Sequence, residues 1–252
     1  MLSINKIKQY VQDHAKSSIF LIGDSHTEIF HKLNYKNSVL IYGSNENLNS
    51  RMWFNHSEHF ICYHMFSVTA YNTNNPNASI PTLLKTRFLI DNGFLPKGCT
   101  IACSFGEVDC RVHIQKQSEK QHRTVEEIID DVLNNYGSFL LMLKNEGYNV
   151  IAYGPIPSQS DKINIDPMFP RYGTEIERNK ITKLFNQKLE QFCNKNKIGY
   201  KTLFYDLIND DMTTKDEYLN PQDHVHLGLQ TYEKVEDLFL NRGENKWNIK
   251  EQ

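Results

Sequence analysis

The chain has 252 residues, and its 28 Lys+Arg against 30 Asp+Glu leave a formal net charge of −2. That balance excludes a nucleic-acid binder working by bulk charge. Hydrophobic residues at 39% and aromatics at 12% suffice for a packed core and exclude a disordered polar chain. No apolar run approaches the roughly 18 residues of a membrane-spanning helix.

The first sixteen residues, Met1 to Lys16, are amphipathic and charged and lack the apolar stretch of a secretory signal, so a cytoplasmic location is expected. The five cysteines (Cys62, Cys99, Cys103, Cys110, Cys193) are odd in number and share no spacing. They suit a reducing compartment, as buried thiols, better than a disulfide framework. Short apolar runs then alternate with stretches of helical period, the pattern of βα units around a parallel sheet. Five strands are expected, at Ser18–Gly23, Ser38–Tyr42, Thr100–Ser104, Asn149–Tyr153 and Tyr200–Tyr205.

Two helices carry clear start signals. Thr124 with Glu127 and Thr174 with Glu177 have capping-box spacing, in which each side chain satisfies a backbone N–H of the other residue. Val125, Ile128, Ile129, Val132, Leu133, Tyr136 and Leu140 follow the first at helical spacing, with Gly147 as a left-handed stop. Ile181, Leu184, Phe185, Leu189 and Phe192 follow the second, and both stripes read as sheet-facing core. Residues 43–58, 71–81 and 155–173 read as connections too polar for core. One domain over residues 1–241 is expected, with a polar tail over 242–252.

Ile22-Gly23-Asp24-Ser25-His26-Thr27 closes the first strand and opens a helical run. A serine there lies at the C-terminal end of the strands, where α/β sheets bind ligands, and at a helix start that favours negative charge. Ser25 is therefore a candidate nucleophile, against the simpler reading of a helix cap. Near the other end stands Asn220-Pro221-Gln222-Asp223-His224-Val225-His226-Leu227-Gly228. An Asp three residues before a His can set its carboxylate on Nδ1–H, leaving Nε2 to take a proton from a hydroxyl. Asp223 and His226 are thus candidates to activate Ser25, while His224 is one residue too close to Asp223 for that geometry. His56, His59, Cys62 and His64 lie close together, but His-Ser-Glu-His is one residue short of His-Glu-x-x-His and offers no third ligand. No metal and no cofactor are expected.

Gly23-Asp24-Ser25 and Asp223-x-x-His226 together resemble the first and last motifs of the SGNH, or GDSL-type, hydrolases. Gly154-Pro155-Ile156-Pro157 and the Asn186-bearing helix also fall where that family has a turn and a helix. The resemblance implies a flavodoxin-like α/β/α sandwich of three layers around a five-stranded parallel sheet, and acyl transfer through an acyl-serine. In the third motif of the family, Gly-x-Asn-Asp supplies an oxyanion-hole Asn. Here the run is Ser104-Phe105-Gly106-Glu107-Val108-Asp109-Cys110-Arg111, with Val108 at the Asn position.

Ser67 in the run 63–70 is the candidate for the second-motif loop, and Gly106, Glu107, Asp109 and Arg111 are candidate oxyanion or substrate contacts. Against those roles stands an internal ion-pair network for Glu107, Asp109 and Arg111, with Asp109 holding the loop behind Ser25. Arg111 is the choice for contact with a carbonyl or anion, since a guanidinium offers planar paired donors; His113 is a further replacement donor. Gly-Glu-Val-Asp-Cys-Arg resembles a variant found in SGNH-like proteins among glycan-biosynthesis enzymes, which implies a carbohydrate ester as substrate. With water as acceptor the outcome is an esterase; with a sugar hydroxyl it is an O-acyltransferase fed by a donor such as acetyl-CoA. The alternative is a catalytically silent glycan-binding or scaffold protein.

Overall fold

The structure, a computed structural model, describes residues 4–33, 38–41 and 51–240. Strands β1 (Ile19–Gly23), β2 (Val39–Ile41), β3 (Met52–His56), β4 (Phe60–His64), β5 (Thr100–Ser104), β6 (Asn149–Tyr153) and β7 (Gly199–Lys201) form one sheet in the order β2-β3-β4-β1-β5-β6-β7. The pairs β4·β1, β1·β5, β5·β6 and β6·β7 are parallel, whereas β2·β3 and β3·β4 are antiparallel. The expectation of five strands, all parallel, is thus corrected to seven in a mixed sheet. Neither additional strand is among the expected ones: Met52–His56 falls in the connection 43–58, and only the end of Phe60–His64 overlaps the loop run 63–70. Met52–His56 carries Asn and His among its apolar residues, and Phe60–His64 follows it after a three-residue turn, so neither shows a clean run. The tail over 242–252 lies outside the described residues.

Successive side chains of a strand face opposite ways, and both faces of this sheet are covered. Phe20, Ile22, Ile101 and Cys103 enter a core with helices α1 (Ile4–His14), α2 (Thr82–Asp91), α4 (Val125–Asn145) and α5 (Glu175–Asn196). Leu21 and Ala102 enter a second core on the other face, with Ile29 and Phe30 after β1 and with Val235 and Phe239 of α6 (Tyr232–Leu240). A short helix α3 (Ile114–Gln121) precedes α4. Both capping boxes form, Thr124 with Glu127 and Thr174 with Glu177, and Gly147 takes φ +92°. All five cysteines are buried and free.

Residues 155–173 form no helix or strand, as expected, but they are not simply surface. Ser158, Gln159 and Ser160 are buried because α5 brings two buried polar side chains beneath them. Arg178 Nε donates to Ser158 Oγ at 2.8 Å and its Nη2 to the Gln159 carbonyl at 2.8 Å, while Asn179 Oδ1 accepts from Ser158 N–H at 2.8 Å. A polar connection can be buried when its backbone groups find partners of this kind.

The end of β1 is the tightest point in the sheet. Gly23 pairs with His64 on one side and Ser104 on the other, and a Cβ on it would lie 2.5 Å from the Ser104 carbonyl oxygen and 2.6 Å from Thr27 Cγ2. Glycine is required here by space. We expect Gly23→Ala to lower stability by about 1–3 kcal/mol or more through overpacking, read as a drop in urea midpoint at unchanged slope.

Candidate active site

Immediately after Gly23 the chain turns into a short 3-10 segment, Ser25–His31. Asp24 caps it: its Oδ1 accepts from His26 N–H at 2.9 Å, and its carbonyl accepts from Thr27 N–H and Oγ1. Ser25 is thereby held at the C-terminal edge of the sheet, between the loops that follow β4 and β5.

The Asn220–Gly228 loop brings the second half of the site. It folds on its own polar side chains: Asp223 Oδ1 accepts from the N–H groups of Val225 (2.8 Å) and His226 (2.9 Å), and His224 takes φ +54° at the reversal. Asp223 Oδ2 lies 3.1 Å from His226 Nδ1 and accepts from Asn220 Nδ2 at 3.0 Å. On the far side of the ring, His226 Nε2 is 2.7 Å from Ser25 Oγ. Ser25, His226 and Asp223 therefore form one chain of hydrogen bonds across 201 residues of sequence. Burial pushes the Asp223 carboxyl up, but the His226 hydrogen bonds and charge outweigh it and hold the group at about 2. At neutral pH it is a carboxylate facing Nδ1, which fixes Nδ1 as the protonated nitrogen and leaves Nε2 to accept from the serine.

Behind this chain lies a second, buried one. His26 Nε2 lies 3.2 Å from Glu107 Oε2, and Arg111 Nε donates to Glu107 Oε1 at 2.6 Å. All three side chains are buried. Burial alone would raise Glu107 and lower His26, but Arg111 and His26 hold the Glu107 carboxyl well below the usual range, and Glu107 and Asp24 hold the His26 imidazole above its own. The His26 ring packs on the His226 ring at 4.8 Å between centroids. The His226 ring also meets the Phe169 ring, at 5.2 Å between centroids and 80°. Arg111 also donates through Nη1 to the carbonyl of Pro170, so one guanidinium ties the 155–173 segment to Glu107. His26 and Phe169 were not among the residues expected from sequence. His26 had a visible signal in standing next to Ser25, and Phe169 had none.

The remaining expected residues take up mixed positions. Arg111 is engaged with Glu107 and Pro170 instead of turned toward an open site, so its placement matches the ion-pair reading of Glu107 and Arg111. Asp109 accepts from the N–H groups of Ala70 (2.6 Å) and Tyr71 (3.2 Å), which ties the segment after β4 to the segment after β5. Burial pushes its carboxyl up to about 7 despite those two donors. Gly106 takes φ +114°, a conformation suited to glycine, with the Phe185 ring 3.0 Å from where a Cβ would sit. Val108 stands in the helical turn that follows and has no side-chain donor.

Ser67 lies in the loop that starts at Met65, whose N–H donates to the Gly23 carbonyl at 2.7 Å. The neighbouring Phe66 takes φ +69°, a left-handed conformation that a bulky residue adopts only at a cost of roughly 1–2 kcal/mol. Two side chains hold it. Lys85 Nζ stands 5.3 Å over the Phe66 ring and donates to the Met65 carbonyl at 3.1 Å, and the Arg51 guanidinium stands 5.2 Å from the same ring. The clustered histidines face separate partners: His56 meets Tyr10, His59 meets Glu58 and Glu236, and His64 meets Glu28.

No family model matches the chain, and no curated protein matches it. Solved structures do. A GDSL-like lipase from Bacteroides thetaiotaomicron is similar at a TM-score of 0.55 and 16% identity, over 95% of this chain and 97% of that one. A candidate acylhydrolase from Bacteroides fragilis is similar at 0.53 and 15%, over 96% and 97%. A mutant of an acetyl-xylooligosaccharide esterase from Geobacillus is similar at 0.50 and 11%, over 90% and 94%. The chain has the SGNH/GDSL-type hydrolase fold over nearly its whole length.

Two outcomes follow from the buried groups. Glu107→Ala leaves Arg111 and His26 without their shared carboxylate. We expect a loss of about 3–5 kcal/mol in urea unfolding, together with a lower His26 pKa by side-chain ¹⁵N NMR. Asp109 keeps its proton in the folded protein up to about 7, whereas the unfolded chain releases it near 3.8. The folded state thus binds more protons between those values, so stability falls as pH rises through them. Asp24, pushed up to about 6 by burial against the pull of His26, acts in the same direction. Asp109→Asn should flatten the fall in urea midpoint between those pH values.

Proposed function

We propose that this protein is an SGNH-type serine ester hydrolase or O-acyltransferase, acting on O-acyl, chiefly O-acetyl, esters of a carbohydrate. The observation that carries the reading is the 2.7 Å approach of Ser25 Oγ to His226 Nε2, with Asp223 on the other ring nitrogen. In this reading Ser25 Oγ attacks the ester carbonyl while its proton passes to His226 Nε2, and Asp223 stabilises the imidazolium that forms. The tetrahedral intermediate collapses, the C–O bond to the alcohol breaks, and His226 returns the proton to the leaving oxygen. A water or a sugar hydroxyl then gives its proton to His226 and attacks the acyl-serine; the C–Oγ bond breaks and His226 returns that proton to Ser25 Oγ, yielding an acid or a new ester and the free serine. In the transferase form the acyl donor is an acetyl-CoA-like thioester.

The oxyanion is assigned to backbone donors, namely Ser25 N–H and the loop through Phe66 and Ser67. Supporting this is the left-handed turn at Phe66, the kind of conformation that re-aims an N–H. The carbohydrate part rests on the Gly106–Arg111 run, with its likeness to glycan-biosynthesis variants, and is in keeping with the saccharide-ester substrate named for the Geobacillus protein. Val108 favours the second reading, a silent protein of the same fold, because one lost oxyanion donor costs about 3–4 kcal/mol of transition-state stabilisation.

Labelling separates the two. We expect a fluorophosphonate to modify Ser25, and p-nitrophenyl acetate to be hydrolysed with kcat/KM lowered by about 10⁴ in Ser25→Ala and by a similar factor in His226→Ala. Absence of both labelling and turnover in the wild-type protein establishes the silent reading. Transfer of label to a residue other than Ser25 removes the nucleophile assignment.

A further inference from the structure

A cleft of about 330 Å³ opens at the same edge of the sheet as Ser25. One wall is the segment after β4, with Tyr71 and Asn72; the other is α3, with Gln117 and Gln121. These segments follow β4 and β5, the two strands that flank β1, and Asp109 joins them at the base of the cleft through its bonds to Ala70 and Tyr71. The volume falls at the lower end of the range for small-molecule sites. None of these residues takes part in the Ser25–His226–Asp223 chain.

The lining narrows the ligand class. Its floor is apolar, from Ile128 and Val132 of α4, and the Tyr71 ring at the rim is half exposed. The walls carry primary amides, groups that both donate and accept: Gln121 Nε2 donates to Gln117 Oε1 at 2.9 Å and Asn72 Nδ2 to Thr69 Oγ1 at 2.9 Å, so a ligand meets amides oriented by their neighbours. The lining carries two carboxyls, of which Asp109 is turned to the backbone of Ala70 and Tyr71. Asp131 is paired with Arg123 at 2.5 Å, and burial lowers the His113 pKa and favours its neutral form. Among the described residues no Lys or Arg lines the cleft, and the guanidinium that touches its lining, Arg123, is engaged by Asp131 at 2.5 Å and Gln121 Oε1 at 3.3 Å, which disfavours a phosphate or a coenzyme A diphosphate. An apolar floor with an aromatic rim and uncharged two-way hydrogen-bonding walls suits a pyranose. Its C–H face packs on apolar and aromatic surface while its equatorial hydroxyls both donate and accept.

We propose that this cleft is a subsite for a neutral saccharide, and that it holds the sugar carrying the ester whose carbonyl Ser25 attacks. The assignment rests on the ester-hydrolase reading above and gives it a specificity element: Tyr71 stacks on a ring while Gln117 and Gln121 bind its hydroxyls. Tyr71, Gln117 and Gln121 are binding residues and leave the chemistry at Ser25 untouched.

The test compares kcat/KM on p-nitrophenyl acetate with that on O-acetylated xylo-, gluco- and chito-oligosaccharides for the wild type, Tyr71→Ala and Gln117→Ala/Gln121→Ala. The expected result is a loss of about tenfold or more on the saccharide esters through KM, with p-nitrophenyl acetate within about twofold of wild type. Turnover of p-nitrophenyl acetate with no turnover of any acetylated saccharide overturns the subsite while leaving the ester-hydrolase reading standing, and so does an equal loss on both substrates. A second measurement is independent of activity: saturation-transfer NMR of Ser25→Ala with the same oligosaccharides after deacetylation. Transfer that disappears on adding Tyr71→Ala supports the subsite even if Ser25 proves unreactive. No transfer to any of the oligosaccharides overturns it.

Discussion

The arrangement around Ser25 depends on one buried carboxylate. Glu107 faces a guanidinium on one oxygen and an imidazole on the other, with all three side chains out of water. Burying charges in this way is expensive, and the cost is offset only where partners are close and well aligned. The consequence is geometric as much as energetic. Arg111 reaches on to the Pro170 carbonyl and His26 reaches on to the His226 ring, so three chain segments remote in sequence are locked to the end of β5. Phe169, next to Pro170, also packs against the His226 ring. His226 thus packs against two rings while Asp223 faces its Nδ1 and its Nε2 faces the serine.

The parts of this picture legible in sequence are those set by local chemistry. Capping boxes at Thr124 and Thr174 declare themselves by spacing, and the apolar stripes after them declare a buried face. Gly-Asp-Ser after a strand and Asp-x-x-His before a helix are likewise local patterns, and the structure brings Ser25, Asp223 and His226 together. Glu107 and Arg111 stand four apart, an ordinary helical ion-pair spacing, so their mutual contact was available as one of two readings.

What could not be read depends on neighbours far along the chain. Met52–His56 is a strand because β4 and β2 pair with it, and nothing in its own mixed composition outweighs the polar residues before it. Ser158–Ser160 are buried because Arg178 and Asn179, some twenty residues away, supply partners. The role of Arg111 was undecided for the same reason: its availability to a ligand depends on Pro170, 59 residues distant. The left-handed turn at Phe66 would be expected at a glycine, and here a lysine and an arginine over the ring do the holding instead.

These observations give Val108 a physical context. A family pattern with Asn at that position uses the side chain itself as a donor, so the loop after β5 must present a polar group toward the serine. In this chain the polar groups flanking Val108 turn inward: Glu107 to Arg111 and His26, Asp109 to the backbone of Ala70 and Tyr71. The loop after β5 therefore braces its surroundings from within, toward the histidine on one side and toward the segment after β4 on the other. In the reading proposed above, the compensation for the missing amide comes from that second segment, which carries Phe66 and Ser67, because a backbone N–H survives any side-chain substitution. Rigid backbone donors need no reorganisation when charge develops on a carbonyl oxygen. The bonds from Met65 to Gly23 and from Ala70 and Tyr71 to Asp109 fix both ends of that loop.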